Sequence, residues 1–135
     1  MNYVYPELWA PLTMPNKRHE LIGVIEEIAG ASSLLAYQNQ QGMEKLDIDN
    51  VVHFLFDDSD IGIDALDYLG DVFLNQEEAI LVSSFCRKLD DLLSLLGDEP
   101  TEVFVAHPEW KEISTLAFVA LNSLVRNGIP IGIED

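Results

Sequence analysis

Apolar side chains recur at helical spacing along most of this chain. Leu21, Ile22, Val24, Ile25 and Ile28 form one face, so the pattern predicts a helix opened by Asn16 as N-cap and closed at Gly30 by a left-handed stop. Residues 31–43 mix Ser, Gln, Asn and Gly with Leu34, Leu35 and Tyr37, which fits a short helix or an ordered loop equally well. In the next block Leu46, Ile48, Val51, Val52 and Leu55 fit a helical face starting near Asp47 or Asp49. The run Val51–Phe56 would also serve as a buried strand, but the helical reading is preferred.

Further along, Ile63, Leu66, Leu69 and Val72 predict a short helix over Ile63–Phe73, weakened by Gly70. Asn75 followed by Glu78 resembles a capping box, and Ile80, Val82, Phe85, Leu89, Leu92, Leu93 and Leu96 then run along a long amphipathic helix to Gly97. After a turn at Asp98–Thr101, Val103–Val105 forms a brief helix or an extended piece. Pro108 suits the first turn of a last helix that carries Trp110, Ile113, Leu116, Ala117, Ala120, Leu121 and Leu124 inward and ends at Gly128. The expected fold is all-α, a single compact domain of four to six helices over residues 1–135. Residues 1–15, with three prolines and the exposed-looking Tyr3, Tyr5 and Trp9, read as an irregular arm, and residues 129–135 as a short tail. The alternative is α+β with a small sheet, in which Val51–Phe56 and Ile129–Ile133 are strands, although neither carries a hairpin signal.

Composition supports a folded body. At 135 residues and 48% apolar content the chain is long and greasy enough to bury a core without disulfides or structural metal. No stretch of eighteen apolar residues occurs and the N-terminus lacks a basic segment followed by an apolar run, so a soluble cytoplasmic protein is expected. The lone Cys86 lies between Val82 and Leu89 on an apolar helix face and reads as a small core residue.

Charge changes the picture most. The chain has 24 acidic and 7 basic residues, a formal charge of −17, and from Leu46 to Cys86 there are ten acidic residues and no lysine or arginine. Such a field repels nucleic acid and anionic lipid, and it attracts a basic protein and speeds encounter with it. A solvated acidic surface that only prevents aggregation is the simpler structural reading.

The densest part, Asp57-Asp58-Ser59-Asp60-Ile61-Gly62-Ile63-Asp64, has carboxylates close enough to suggest a hard cation. Spacing argues against the common calcium loop: with Gly62 sixth, Ile61 falls at the fifth position and Tyr68 at the twelfth, where a bidentate Glu is needed. No metal or other cofactor is therefore expected. Two structural roles fit the run, with Asp57 and Asp58 ending one helix in a solvated turn and Asp60 or Asp64 capping the next. Carboxylates held at a helix start are also ready acceptors for arginine.

No catalytic set is legible. His53 sits in an apolar block and reads as a buried core histidine; His107 before Pro108 reads as a turn or cap residue; His19 belongs to the basic cluster Lys17-Arg18-His19 with no nucleophile placed beside it. Gly62 and Gly132 lack the glycine-rich or basic context of a phosphate loop. Trp9 and Trp110 are the candidate interface anchors, although Trp110 shares the last helix's apolar register and reads more readily as core. Binding ranks above catalysis, and the protein is not expected to be an enzyme.

Three blocks, Val51-Val52-His53-Phe54-Leu55-Phe56-Asp57-Asp58-Ser59, Gly70-Asp71-Val72-Phe73-Leu74-Asn75-Gln76-Glu77-Glu78-Ala79 and Val105-Ala106-His107-Pro108-Glu109-Trp110, resemble a family of small, acidic, largely uncharacterised bacterial proteins. The likeness covers roughly residues 46 to 125. Such proteins are similar in size and charge to immunity proteins of bacterial toxin systems, including contact-dependent growth inhibition. The resemblance implies a protein that masks the active site of a basic toxin such as a nuclease, and it transfers no catalytic residue. The expected contact residues are Asp57, Asp58, Asp60, Asp64, Asp67 and Asp71, with Glu77 and Glu78 extending the surface and Tyr68 as an aromatic anchor. The competing expectation is a self-associating regulatory or adaptor protein, a homodimer whose acidity serves solubility.

Overall fold

In the computed structural model, residues 2–30 and 46–133 are described. The reading of residues 31–43 lies outside them. The domain is all-α, with five α-helices among the described residues: α1 Pro15–Gly30, α2 Ile48–Val52, α3 Gln76–Leu96, α4 Thr101–Ala106 and α5 Trp110–Arg126. Short 3₁₀ turns at Glu7–Trp9 and Ala65–Tyr68 and a π-type turn at His53–Asp57 complete the helical content.

Helix α5 is the centre of the packing and lies against both α1 and α3. Its buried residues Trp110, Ile113, Ala117, Ala120 and Leu124 match the expected inner face, while Leu116 and Leu121 are half-buried at its margins. The small Ala117 and Ala120 let the neighbouring helices approach, and Leu21, Ile25 and Ile28 of α1 and Val82, Phe85 and Leu89 of α3 fill the rest of the core. Cys86 is buried in α3 as expected, and burial next to Asp90 pushes its thiol far above the ordinary range.

Helix starts depart from the expected chemistry in instructive ways. Helix α1 begins at Pro15, so Asn16 lies inside the first turn, where its Oδ1 accepts a 2.9 Å hydrogen bond from the Tyr5 hydroxyl and caps nothing. Gly30 is still helical, not a left-handed stop. Asp47 does cap α2, accepting from the Asp49 amide at 3.0 Å, and the block Val51–Phe56 is helical with Val51, Phe54 and Leu55 buried. The strand reading of that block is thereby overturned. The segment Thr101–Ala106 forms α4, and Pro108 sits in the turn before α5, one residue ahead of its N-cap Glu109.

The helix expected over Ile63–Phe73 shrinks to the single turn Ala65–Tyr68. Ala65 is the buried residue of the turn and Val72 is buried beyond it, whereas Ile63, Leu66 and Leu69 are exposed. Ile80 is likewise on the outer side of α3 and not on its core face. Of the four apolar positions expected over Ile63–Phe73 only Leu66 lies within the turn: the chain enters it at Asp64 (φ −130°) and leaves it extended at Leu69 (ψ 125°), so the helical register is not kept, and Val72 alone of the four reaches the core.

The two ends of the chain meet. Strand β1, Asn2–Val4, pairs antiparallel with β2, Ile131–Ile133, with Val4 opposite Ile131. This ribbon supplies the neighbour that the tail alone did not reveal, and it is an addition to an all-α body. Within the arm, Tyr3 is exposed and Tyr5 half-buried, but Trp9 is fully buried and stacks with Tyr5 at 5.4 Å, so its exposed reading is corrected. Pro6 lies so close to Gly128 that a Cβ there would meet its ring at 2.7 Å, and Gly128 has φ +104, a combination only glycine satisfies.

Candidate partner-binding surface

The acidic segment is built by the end of α2 and the turns that follow it. The α2 helix loosens into a π-type turn in which the Asp58 amide donates to the His53 carbonyl at 2.7 Å, and the Gly62 amide then folds back on the Leu55 carbonyl at 2.9 Å. A Cβ at Gly62 would come within 2.9 Å of that carbonyl and 2.6 Å of the Phe56 ring, so the close approach requires glycine. Ile61, fully buried, pins the loop to the core.

Around these anchors the carboxylates are displayed. Asp57 and Asp58 end the π turn exposed to solvent, as the sequence suggests, and they flank His53: Nδ1 lies 3.3 Å from Asp57 Oδ2 and Nε2 3.1 Å from Asp58 Oδ1. His53 is 64% exposed, which corrects its reading as a core histidine; its neighbours Phe54 and Leu55 take the buried positions. His107, by contrast, is the expected turn residue, its Nδ1 accepting from the Glu109 amide at 3.1 Å.

The Asp60 amide donates to the Tyr68 hydroxyl at 3.0 Å, and its carbonyl accepts from the Ile63 and Asp64 amides. Asp64 occupies the N-cap position of the 3₁₀ turn without a side-chain capping bond, so the expected cap by Asp60 or Asp64 side chains is not made. Asp64 and Asp67 stay exposed. Tyr68 is half-buried, its hydroxyl holding the start of the loop and its carbonyl accepting from the Asp71, Val72 and Phe73 amides. It is a brace for the loop before it is an anchor for anything else.

Two expected contact residues are placed elsewhere. Asp71 is half-buried and accepts a hydrogen bond from the Thr13 hydroxyl, while the Met14 amide donates to its carbonyl, which ties the loop to the N-terminal arm. Glu77 is exposed in the first turn of α3, but its neighbour Glu78 is completely buried and cannot touch a partner. Asn75 caps α3 by accepting from the Glu78 amide at 3.0 Å; the Glu78 carboxylate reaches back one residue further than a capping box would, to the Leu74 amide at 2.8 Å.

Both oxygens of the same carboxylate face Arg18, which is also fully buried. Its Nη1 and Nη2 donate to Glu78 Oε1 and Oε2 at 2.8 and 2.7 Å, and the same nitrogens donate to the Val72 and Leu124 carbonyls. Asn127 Nδ2 donates to Glu78 Oε2 at 2.7 Å, its carbonyl accepts from Trp9 Nε1, and the Trp9 ring covers the guanidinium at 4.9 Å. Burial by itself pushes the Glu78 carboxyl up, but the bonds from Arg18, Asn127 and the Leu74 amide, with the Arg18 charge, hold it below its ordinary value. The sequence did carry a signal for this pair. Arg18 is in register with Leu21, Ile22 and Ile25, and Glu78 with Val82, Phe85, Leu89 and Leu92.

Among the described residues no group of three or more His, Cys, Asp or Glu side chains is placed to hold a metal ion, and no helix is long and apolar enough to cross a membrane. The geometry thus defines a strongly acidic helical domain with a locked ionic centre and a braced, exposed acidic loop. The chain belongs to the family described as a domain of unknown function, DUF7945, which it matches over residues 12–129. No curated protein and no solved structure matches it.

Proposed function

We propose that this protein is an acidic protein-binding module, an immunity or inhibitor protein that neutralises a basic bacterial toxin in the cytoplasm by covering its cationic active site. A nuclease fits as the target, because a site that recognises a polyanion also accepts a row of carboxylates. The observation that carries this reading is the state of the exposed carboxylates. Asp57, Asp58, Asp60, Asp64, Asp67 and Glu77 are open to solvent, and none pairs with a lysine or arginine among the described residues. Their charge is available to a partner, and the loop bearing most of them is braced by Ile61, Gly62 and Tyr68, so little ordering is needed on contact.

Charge of this kind sets mainly the association rate and its salt dependence. The partner is recovered from native extract on tagged protein with washes at rising salt, and association is then measured with Asp57, Asp58, Asp60 and Asp64 changed together to Asn. The expected result is an association rate lower by at least about tenfold at low salt, with a flatter salt dependence. An unchanged rate and slope overturn the proposal, and recovery of only a second copy of this chain points to the self-associating adaptor instead.

A further inference from the structure

The acidic loop is not uniformly polar. Ile63, Leu66 and Leu69, 60%, 52% and 43% exposed, are spaced by three through and beside the 3₁₀ turn Ala65–Tyr68, and Asp60, Asp64 and Asp67 are interleaved with them. In a 3₁₀ turn residues three apart eclipse one another with a rise of roughly 6 Å per turn, and the amide of Leu69, the C-cap, closes on the Leu66 carbonyl at 3.2 Å, so Leu69 stands one turn beyond Leu66, with Ile63 just ahead of the turn. An α-helix repeats its apolar positions every three or four residues, roughly 4.5 to 6 Å along its axis, which is the same interval. The turn cannot fold these side chains inward, because Ala65 and Ile61 already fill the core beneath it and the Tyr68 carbonyl holds the chain beyond it.

We infer that Ile63, Leu66 and Leu69 are the contact row for a cationic amphipathic helix of the partner protein, one with an apolar stripe bordered by Lys or Arg. The inference rests on the binding-module reading and names the chemistry of what is bound. Charge complementarity selects the occupant: Asp60, Asp64 and Asp67 repel anionic lipid and a second acidic copy of this chain, and they accept guanidinium or ammonium groups flanking an apolar stripe. The aspartates speed encounter, and burial of the three apolar side chains sets the lifetime.

The test uses the full chain and two synthetic peptides of identical Leu and Lys content, one with leucines at helical i, i+3, i+4 spacing and one scrambled. Affinity is measured by calorimetry at moderate salt, and the site is mapped by methyl chemical shifts. The expected result is binding of the amphipathic peptide at least about tenfold tighter than the scrambled one, with shifts centred on the Ile63, Leu66 and Leu69 methyls. Changing those three residues together to Ser removes the preference, whereas Leu95→Ser, at a more exposed apolar site on α3, leaves it intact. Because all three are at least two-fifths exposed, the triple variant is expected to keep its fold, which its melting curve verifies. Equal affinity for the two peptides, or shifts centred elsewhere, overturns the inference while leaving the charge-led reading standing. Binding of neither peptide overturns both.

Discussion

Arg18 and Glu78 form a bidentate ion pair, 2.8 and 2.7 Å, between two side chains with no exposure to solvent, 60 residues apart in sequence. Each partner enters on the apolar face of its own helix, so both charges are carried into the core by the folding of α1 and α3. The pair is further bonded to the Val72 and Leu124 carbonyls, the Leu74 amide and the Asn127 side chain, while Arg18 Nε is buried without a hydrogen-bond partner among the described residues. It joins the arm, α1, the start of α3 and the end of α5 at one point.

Breaking the pair by removing one partner leaves an uncompensated buried charge. Glu78→Leu and Arg18→Met are each expected to lose about 3–5 kcal/mol of unfolding free energy, and the double variant to lose clearly less than the sum. Chemical denaturation of the four proteins checks this. Additive losses, or a single-variant loss below about 1 kcal/mol, contradict the role assigned to the pair.

The pair also sets a pH dependence with a definite sign. The Glu78 carboxyl is held below its ordinary value of 4.5, so the unfolded chain takes up the proton first. Its contribution is complete above about 4.5 and is lost as pH falls through the lowered folded value. Glu26, pushed up by burial against the opposing effect of His19, acts in the other direction and favours the folded state as it protonates. Denaturation midpoints of the parent protein are expected to fall as pH drops through this window, and those of Glu78→Gln to fall less steeply; parallel curves rule the assignment out.

Trp9 closes the network from above through its ring on Arg18 and its Nε1 hydrogen bond to the Asn127 carbonyl. Trp9→Ala is expected to cost about 3–5 kcal/mol and Trp9→Phe, which keeps a ring but loses the donor, about 1–2 kcal/mol. Thermal melts followed by circular dichroism distinguish these values. If both variants melt with the parent, the arm is a passive covering.

Gly62 admits no side chain because the Leu55 carbonyl and the Phe56 ring occupy the place of a Cβ. Gly62→Ala is expected to cost about 1–3 kcal/mol and to shift amide resonances across residues 55–68, while Gly23→Ala, where a Cβ meets nothing within 4 Å, is neutral or stabilising. Identical behaviour of the two substitutions contradicts the tight packing of the loop.

Cys86 has a thiol pushed far upward by burial and is expected to resist a disulfide reagent in the native state and to react fully in denaturant. Native labelling that does not slow when the fold is stabilised by osmolyte shows that the thiol is open after all.

The candidate surface was legible in part. Asp57, Asp58, Asp60, Asp64, Asp67 and Glu77 are exposed in the structure, as residues dense in one charge are expected to be. Glu78 and His53 exchanged expected places, the glutamate going to the core and the histidine to solvent. In both cases the neighbour decided. Glu78 follows the register of Val82 and Phe85 and finds Arg18, whereas His53 sits beside Phe54 and Leu55, which take the interior positions.

What the sequence by itself determined is what local periodicity encodes: a helical domain, the extents of α3 and α5, the inner face of α5, the buried Cys86 and Trp110, and an acidic run with no cations. Tertiary structure alone decided which elements meet. The register put Arg18 and Glu78 each on a core face, but only the fold set them opposite one another, the Ile131–Ile133 tail became a strand only when Asn2–Val4 arrived beside it, and Ile63, Leu66 and Leu69 were left outside because Ile61, Ala65 and Val72 already occupied the interior. The physical reason is common to all three. Helical spacing is a property of one segment, but burial of a charge, pairing of a strand and exposure of an apolar row depend on a second segment whose position the spacing does not contain.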